Sequence, residues 1–221
     1  MRTPKNETAE MYASIMTEIK VRIEAINQGT NSRLPLPAPL VKEFCHLQIR
    51  MICELVALGC LVAHGDIEAT KSNKCQGEYS AQRIMDSLEK LHPDFFPRSY
   101  RQKPHRGGRV VEFDHPEAPA MTKDEFLRLY NDCGEILHRG NLKKLLTQRS
   151  PIQVHYPDIT AKAQRLVDLL KLHVVTRLGG KDLFVCVLQT PQEPDVQVFT
   201  AEVRQVEADV LAEFQQLGGG E

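Results

Sequence analysis

Tryptophan is absent from this chain, and aromatic residues make up only 6% of its 221 residues. A core without large aromatic slabs has to rest on Leu, Val and Ile. Closely spaced cysteines are missing as well. Cys45, Cys53, Cys60, Cys75, Cys133 and Cys186 form no C-x-x-C pair, which excludes a zinc ribbon or a thioredoxin-type motif. Three of them share one apolar segment, where a thiol acts as a small hydrophobe. They read as the reduced cysteines of a cytoplasmic protein. There is no phosphate-binding glycine loop, no H-E-x-x-H and no G-x-S-x-G. His92, His105 and His115 share an irregular stretch without the spacing of a standard metal site. No metal and no cofactor is expected. The longest uninterrupted apolar run, Leu55 to Ala63, falls short of the ~20 residues that span a bilayer. The first residues, Met-Arg-Thr-Pro-Lys-Asn-Glu, lack the apolar stretch of a signal peptide. A membrane is therefore not an expected partner. The net charge of −1 argues against bulk polyelectrolyte binding to nucleic acid and leaves room for a local basic patch.

What is present reads as one mainly α-helical domain over residues 1–221. Met11, Ile15, Ile19, Ile23 and Ile26 recur at helical spacing in a helix over 7–28 that Gly29 stops. Three prolines keep 30–39 irregular. A long central helix then runs from about 39 to 64, close to 40 Å at 1.5 Å per residue. Ser80 caps a helix that ends at Leu91. Pro and Gly are dense between His92 and Ala120, so 92–121 is expected to be a long irregular basic loop, with a short strand over 109–113. Thr122 and Glu125 form a capping box ahead of a helix whose apolar face is Phe126, Tyr130, Cys133 and Leu137. Gly134 would let another helix come close, and His138-Arg139-Gly140 ends the helix. Asn141 opens a short helix through Leu146, and a further helix spans 158–178. The period then shifts to that of strands at 183–188 and 196–200, a β-hairpin. Val203, Val206, Val210, Phe214 and Leu217 mark a closing helix. The expected fold is thus a helical bundle around the 39–64 helix, with a hairpin-plus-helix appendage over 183–217.

The central helix carries the most informative pattern. Glu43, His46, Arg50 and Glu54 fall within about 60° of one another on a helix that is otherwise almost wholly apolar. Four ionisable groups on a buried helix must pair or line a site. Arg50 is expected inside the domain, in contact with Glu54 or Glu43. The functional reading has Arg50 holding an anion while His46 exchanges a proton; the alternative is a structural network. Asn131, Glu135 and His138, followed by Arg139 and Asn141, form a second polar stripe that could meet the first in one cleft. A third feature lies in the basic loop. Arg98, Arg101, Lys103, Arg106 and Arg109 occur with no intervening acid, beside Phe95, Phe96 and Tyr100. Phosphate contacts with aromatic stacking are what single-stranded nucleic acid binding requires.

A long helix bearing Glu, His and Arg, and a later helix ending in Ile136-Leu-His138-Arg139-Gly-Asn141, resemble the higher eukaryote and prokaryote nucleotide-binding (HEPN) domain across residues 40 to 146. The resemblance implies a helical bundle, and RNA as ligand or substrate in a bacterial or phage defence setting. The family's signature is Arg, four to six residues, then His. Here that spacing occurs only at Arg98–His105, Arg109–His115 and Arg149–His155, all in proline-broken or irregular segments. Arg50, His138, Arg139 and Asn141 are what carries over. Metal-independent cleavage would use His46 or His138 to move the proton and Arg50 or Arg139 to stabilise the phosphorane. The alternative is a non-catalytic helical interaction module that pairs with a second copy of itself.

Overall fold

The long apolar run folds as the spine it suggests. In the computed structural model, which describes residues 4–65, 68–72, 77–102, 113–114, 116, 118–138, 154–177, 182–189 and 194–202, helix α2 spans Ala38–Ala63. It packs along helix α1, Pro4–Thr30, and against α3 (Ala81–Leu91), α4 (Lys123–Leu137) and α5 (Tyr156–Leu170). Its buried face is Val41, Cys45, Ile49, Ile52, Cys53, Val56 and Cys60. An 18-residue window of α2 is apolar and long enough to cross a membrane by length and composition alone. More than half of that window is buried within the domain, the setting of a core helix.

α1 turns inward the face its isoleucines mark: Ile19 and Ile26 are buried and Ile15 and Ile23 pack against the core, joined by Tyr12 and Met16, while Met11 is 57% exposed. The Tyr12 ring packs edge-on to Phe184, and its hydroxyl finds a partner inside the core. Gly29 does not stop α1 but lies within it. A Cβ there would come 2.8 Å from Cys45 Sγ, so Gly29 permits close approach of α2 rather than a turn. The left-handed residue is Ser32, with φ 57°, just past the helix end.

The capping box forms as expected: the Glu125 N–H donates to Thr122 Oγ1, and Glu125 Oε2 accepts from the Thr122 N–H at 2.9 Å. Ser80 stands at the N-cap of α3, but its side chain makes no capping hydrogen bond.

Two expectations are corrected. The helix expected over 158–178 ends at Leu170, and Leu172–Thr176 is a strand, β4. Val174, Val175 and Thr176 are β-branched, and Leu172 to Val175 are buried on both faces of the sheet, which outweighs the helical spacing ahead of them. The irregular stretch also holds short strands: β1 (Arg98–Ser99), β2 (Arg101–Gln102) and β3 (Phe113–Asp114). β5 (Asp182–Val187) and β6 (Gln197–Glu202) are the expected hairpin. The hairpin belongs to a four-stranded antiparallel sheet in the order β1-β4-β5-β6, with β2-β3 as a separate ribbon. His173, Val175, Phe184 and Cys186 face the helices, while Leu172, Val174 and Val185 form a smaller cluster on the other side with Tyr100 and Leu183. The closing helix expected over 203–217 and the short helix from Asn141 lie outside the described residues.

Candidate functional site at the α2–α4 seam

Arg50 crosses from α2 to α4. Its Nη2 donates to the Tyr130 hydroxyl at 2.6 Å and Nη1 donates to the Tyr130 carbonyl at 3.3 Å. Its Nε lies 3.4 Å from Glu54 Oε1, one turn further along α2. The Tyr130 hydroxyl in turn donates to the same Glu54 oxygen at 3.3 Å. The guanidinium carbon sits 4.0 Å from the centre of the Tyr130 ring, a cation–π contact. Gly134 makes room for this, since a Cβ there would fall 2.5 Å from Arg50 Nη1. The glycine expected to admit a neighbouring helix admits that helix's arginine. Arg50 keeps 28% of its side chain exposed and Glu54 18%, so the pair is half-buried rather than sealed. Each terminal nitrogen of Arg50 retains one N–H that these contacts do not use. Burial raises the Tyr130 phenol above its ordinary value, against the pull of Arg50.

The other members of the two stripes do not join this seam. Glu43 is exposed and forms no ion pair among the described residues. His46 is 2% exposed, and its Nδ1 donates to the Lys42 carbonyl at 2.8 Å. Burial lowers its pKa; the hydrogen bond to Lys42 opposes this, and the charges of Lys162 and Lys42 add to the lowering. Its ring is therefore neutral near pH 7 and faces the core rather than a cleft. Asn131, Glu135 and His138 are exposed on α4. The side of α4 turned to α2 is Tyr130, Cys133 and Gly134, and the expected polar stripe lies around the helix from it. His138 is the C-cap residue. Arg139 and Asn141 lie outside the described residues.

The basic stretch is less uniformly positive than its sequence reads. Arg98 forms an ion pair with Asp94, which lies just upstream. Phe95 is buried, and Phe96 packs edge-on to Phe126 at 5.5 Å, so neither ring is a stacking platform. The Tyr100 N–H donates to the Leu172 carbonyl. Arg101 is exposed on β2. Lys103, Arg106 and Arg109 lie outside the described residues.

Two polar groupings went unseen in the sequence. The Tyr12 hydroxyl lies 2.7 Å from His173 Nε2, and His173 Nδ1 lies 2.8 Å from the Leu170 carbonyl. The ring thus donates through Nδ1 and accepts from Tyr12, and burial pushes its pKa down to about 4. At the end of α2, His64 and His92 both direct Nε2 to the Thr176 carbonyl, at 3.1 and 2.9 Å. Arg177 Nε donates to the Ala63 carbonyl at 3.1 Å, a cation on the C-terminal carbonyls of a helix. Only the position of His64 beside Gly65 hinted at this knot. A cavity of about 480 Å³ lies nearby, between α2 and α3, with Leu61, Ile84 and Leu88 in its wall and Glu78, Arg83 and Asp86 among its polar lining. Among the described residues no three His, Cys, Asp or Glu side chains gather to hold a metal ion.

Compared with protein-family models, with curated proteins and with solved structures, the chain matches none.

Proposed function

We propose that this chain is a cytoplasmic, HEPN-like helical module that works by binding and does not itself cleave RNA. The observation that carries this reading is the engagement of Arg50. Arg50, the candidate charge stabiliser on α2, is tied to Tyr130 and Glu54, and the candidate proton carrier on its own helix, His46, is buried, with burial lowering its pKa. A general acid–base site needs a titrating group within reach of solvent and substrate, and His46 is buried, with burial lowering its pKa. The test is digestion of structured and unstructured RNAs in excess EDTA. The expected result is no cleavage. Metal-independent cleavage that His138→Ala abolishes would overturn the reading and restore His138 as the proton carrier.

RNA binding without cleavage is a second reading, favoured by Arg101, exposed on β2. Arg101→Ala should weaken RNA binding across sequences and lower the salt slope by about one. An unchanged slope would remove Arg101 from the contact.

A further inference from the structure

His64, the C-cap residue of α2, is fully buried, and both of its ring nitrogens face carbonyl oxygens. Nδ1 lies 2.7 Å from the Cys60 carbonyl, one turn back, and Nε2 lies 3.1 Å from the Thr176 carbonyl at the end of β4. A carbonyl accepts and never donates, while a neutral imidazole has one N–H and one lone pair. In a neutral ring, one of these two contacts would set a lone pair against a carbonyl oxygen, out of reach of solvent. Both contacts are hydrogen bonds only when both nitrogens carry a proton. His173 shows the contrast. One of its nitrogens donates to the Leu170 carbonyl, but the other meets the Tyr12 hydroxyl, which can donate. That ring is satisfied when neutral; the ring of His64 is not.

We propose that His64 is held as an imidazolium, a buried cationic clasp that fastens the last turn of α2 to the end of β4 and opens when it loses its proton. Burial opposes a charge at this place, and the surroundings offset it. The last carbonyls of α2 carry the negative end of the helix dipole and favour a cation. Thr70, on the 3-10 turn Glu68–Lys71, donates its hydroxyl to the His64 carbonyl at 3.0 Å and holds that backbone in place. Among the described residues, the charged and titratable groups set around the clasp are Arg177, Asp182 and His92. Arg177, just past β4, donates Nε to the Ala63 carbonyl and pairs with Asp182 of β5 at 3.5 Å. That carboxylate offsets the arginine's charge. His92, the C-cap residue of α3, has its ring centred 5.3 Å from that of His64 and directs Nε2 to the same Thr176 carbonyl at 2.9 Å. One N–H is enough for this contact, so it requires no second cation. The ends of α2, α3 and β4 thus meet on one carbonyl. A deprotonated His64 keeps one N–H. The contact to Cys60 is shorter and lies within one helix, so the bond to β4 is the one given up.

Nitrogen NMR of the full chain with labelled histidine, assigned through the backbone, tests this. At about one pH unit above the ordinary imidazole value of ~6.5, both His64 nitrogens should give the shifts of protonated nitrogens, whereas His173 should show one protonated and one bare. His64 should titrate at least about one pH unit higher than an ordinary imidazole, a tenfold or greater gain in proton affinity. One bare nitrogen on His64 under those conditions, or titration at or below the ordinary value, overturns the proposal. Stability gives an independent readout. A group that holds its proton more tightly in the fold than in the unfolded chain contributes stability that is whole below about pH 6.5 and is lost as the pH rises through its folded value. Urea midpoints of the wild type should therefore fall from about pH 7 to about pH 9. His64→Gln should flatten this fall, because an amide has no proton to lose. A fall of the same size in both proteins, or none in the wild type, overturns the clasp. Should His64→Gln fail to fold, the wild-type nitrogen shifts decide alone. None of these outcomes depends on whether the chain binds or cleaves RNA.

Discussion

Gly134→Ala should change the sign of its effect with the identity of residue 50. In a helix interior, replacing Gly by Ala stabilises by about 1 kcal/mol through backbone entropy alone. At this position the new methyl would sit 2.5 Å from Arg50 Nη1, well inside contact distance, so the guanidinium must swing away. It then gives up its hydrogen bonds to the Tyr130 hydroxyl and carbonyl and its place over the Tyr130 ring. Hydrogen bonds to a charged group are worth roughly 1.5–3 kcal/mol. With 28% of the Arg50 side chain exposed, water recovers part of this, leaving a loss of about 2 kcal/mol. The net effect in the wild-type background is destabilisation by about 1 kcal/mol. In an Arg50→Ala background nothing stands over Gly134, and the same substitution should stabilise by about 1 kcal/mol. The coupling between the two positions is then about 2 kcal/mol, within the range for residues in direct contact. Arg50→Ala alone should cost about 2 kcal/mol, less than the 3–5 of a fully buried broken pair. Urea denaturation of the four proteins measures the cycle. An effect of Gly134→Ala with the same sign and size in both backgrounds would refute the close packing of Arg50 on α4.

Stability should depend on pH through His173. Its pKa in the fold is about 4, against about 6.5 in the unfolded chain. The unfolded state therefore binds more protons in this window, so the stability is whole above pH 6.5 and falls as the pH drops toward 4. The loss is roughly 3 kcal/mol, and His46 adds to it in the same direction. Denaturation midpoints from pH 7 to pH 4 check this, and a flat profile would contradict the buried neutral ring. Tyr12→Phe leaves His173 Nε2 without its donor and should cost about 1–3 kcal/mol; a loss too small to measure would mean the bond is dispensable. Burial raises the thiols of Cys45 and Cys133 to about 11 and Cys186 to about 12, with Cys53 and Cys60 also raised. A thiol reagent at pH 8 should therefore leave these five unmodified until the protein unfolds, and rapid labelling of two or more thiols in the native state would refute their burial.

The sequence made the helices legible where a single physical rule governed them. Proline placement and an uninterrupted apolar face bounded α2 to within a residue or so, and the capping box located the start of α4. It misled where two rules competed. The apolar residues from Leu166 to Val175 satisfy helical spacing, but β-branching and pairing with β5 decide the second half. Pairing across a sheet is non-local and leaves no trace in the strand itself, which is why the two residues of β1 were invisible. The same limit applied to the site. The i, i+4 relation of Arg50 and Glu54 is a property of one helix and could be read. That Tyr130 rather than His138 would meet them depends on how α4 is rotated, and an amphipathic pattern leaves that rotation open by one residue in either direction.

The hydrogen bond between Tyr12 and His173 ties residues 161 positions apart, and this bears on how the chain is made. At about 5–20 residues per second, a ribosome takes roughly 8–30 s to bring His173 into being after Tyr12. During that interval α1 and α2 can already lie together, but the hydroxyl has no partner and the aromatic end of α1 has no strand to cover it. The nascent helical pair is a waiting surface, of the kind that chaperones hold, until β4 and β5 emerge. Ribosome-bound chains stopped before residue 170 should therefore resist proteases poorly along α1, and chains stopped well past residue 190 should resist them well.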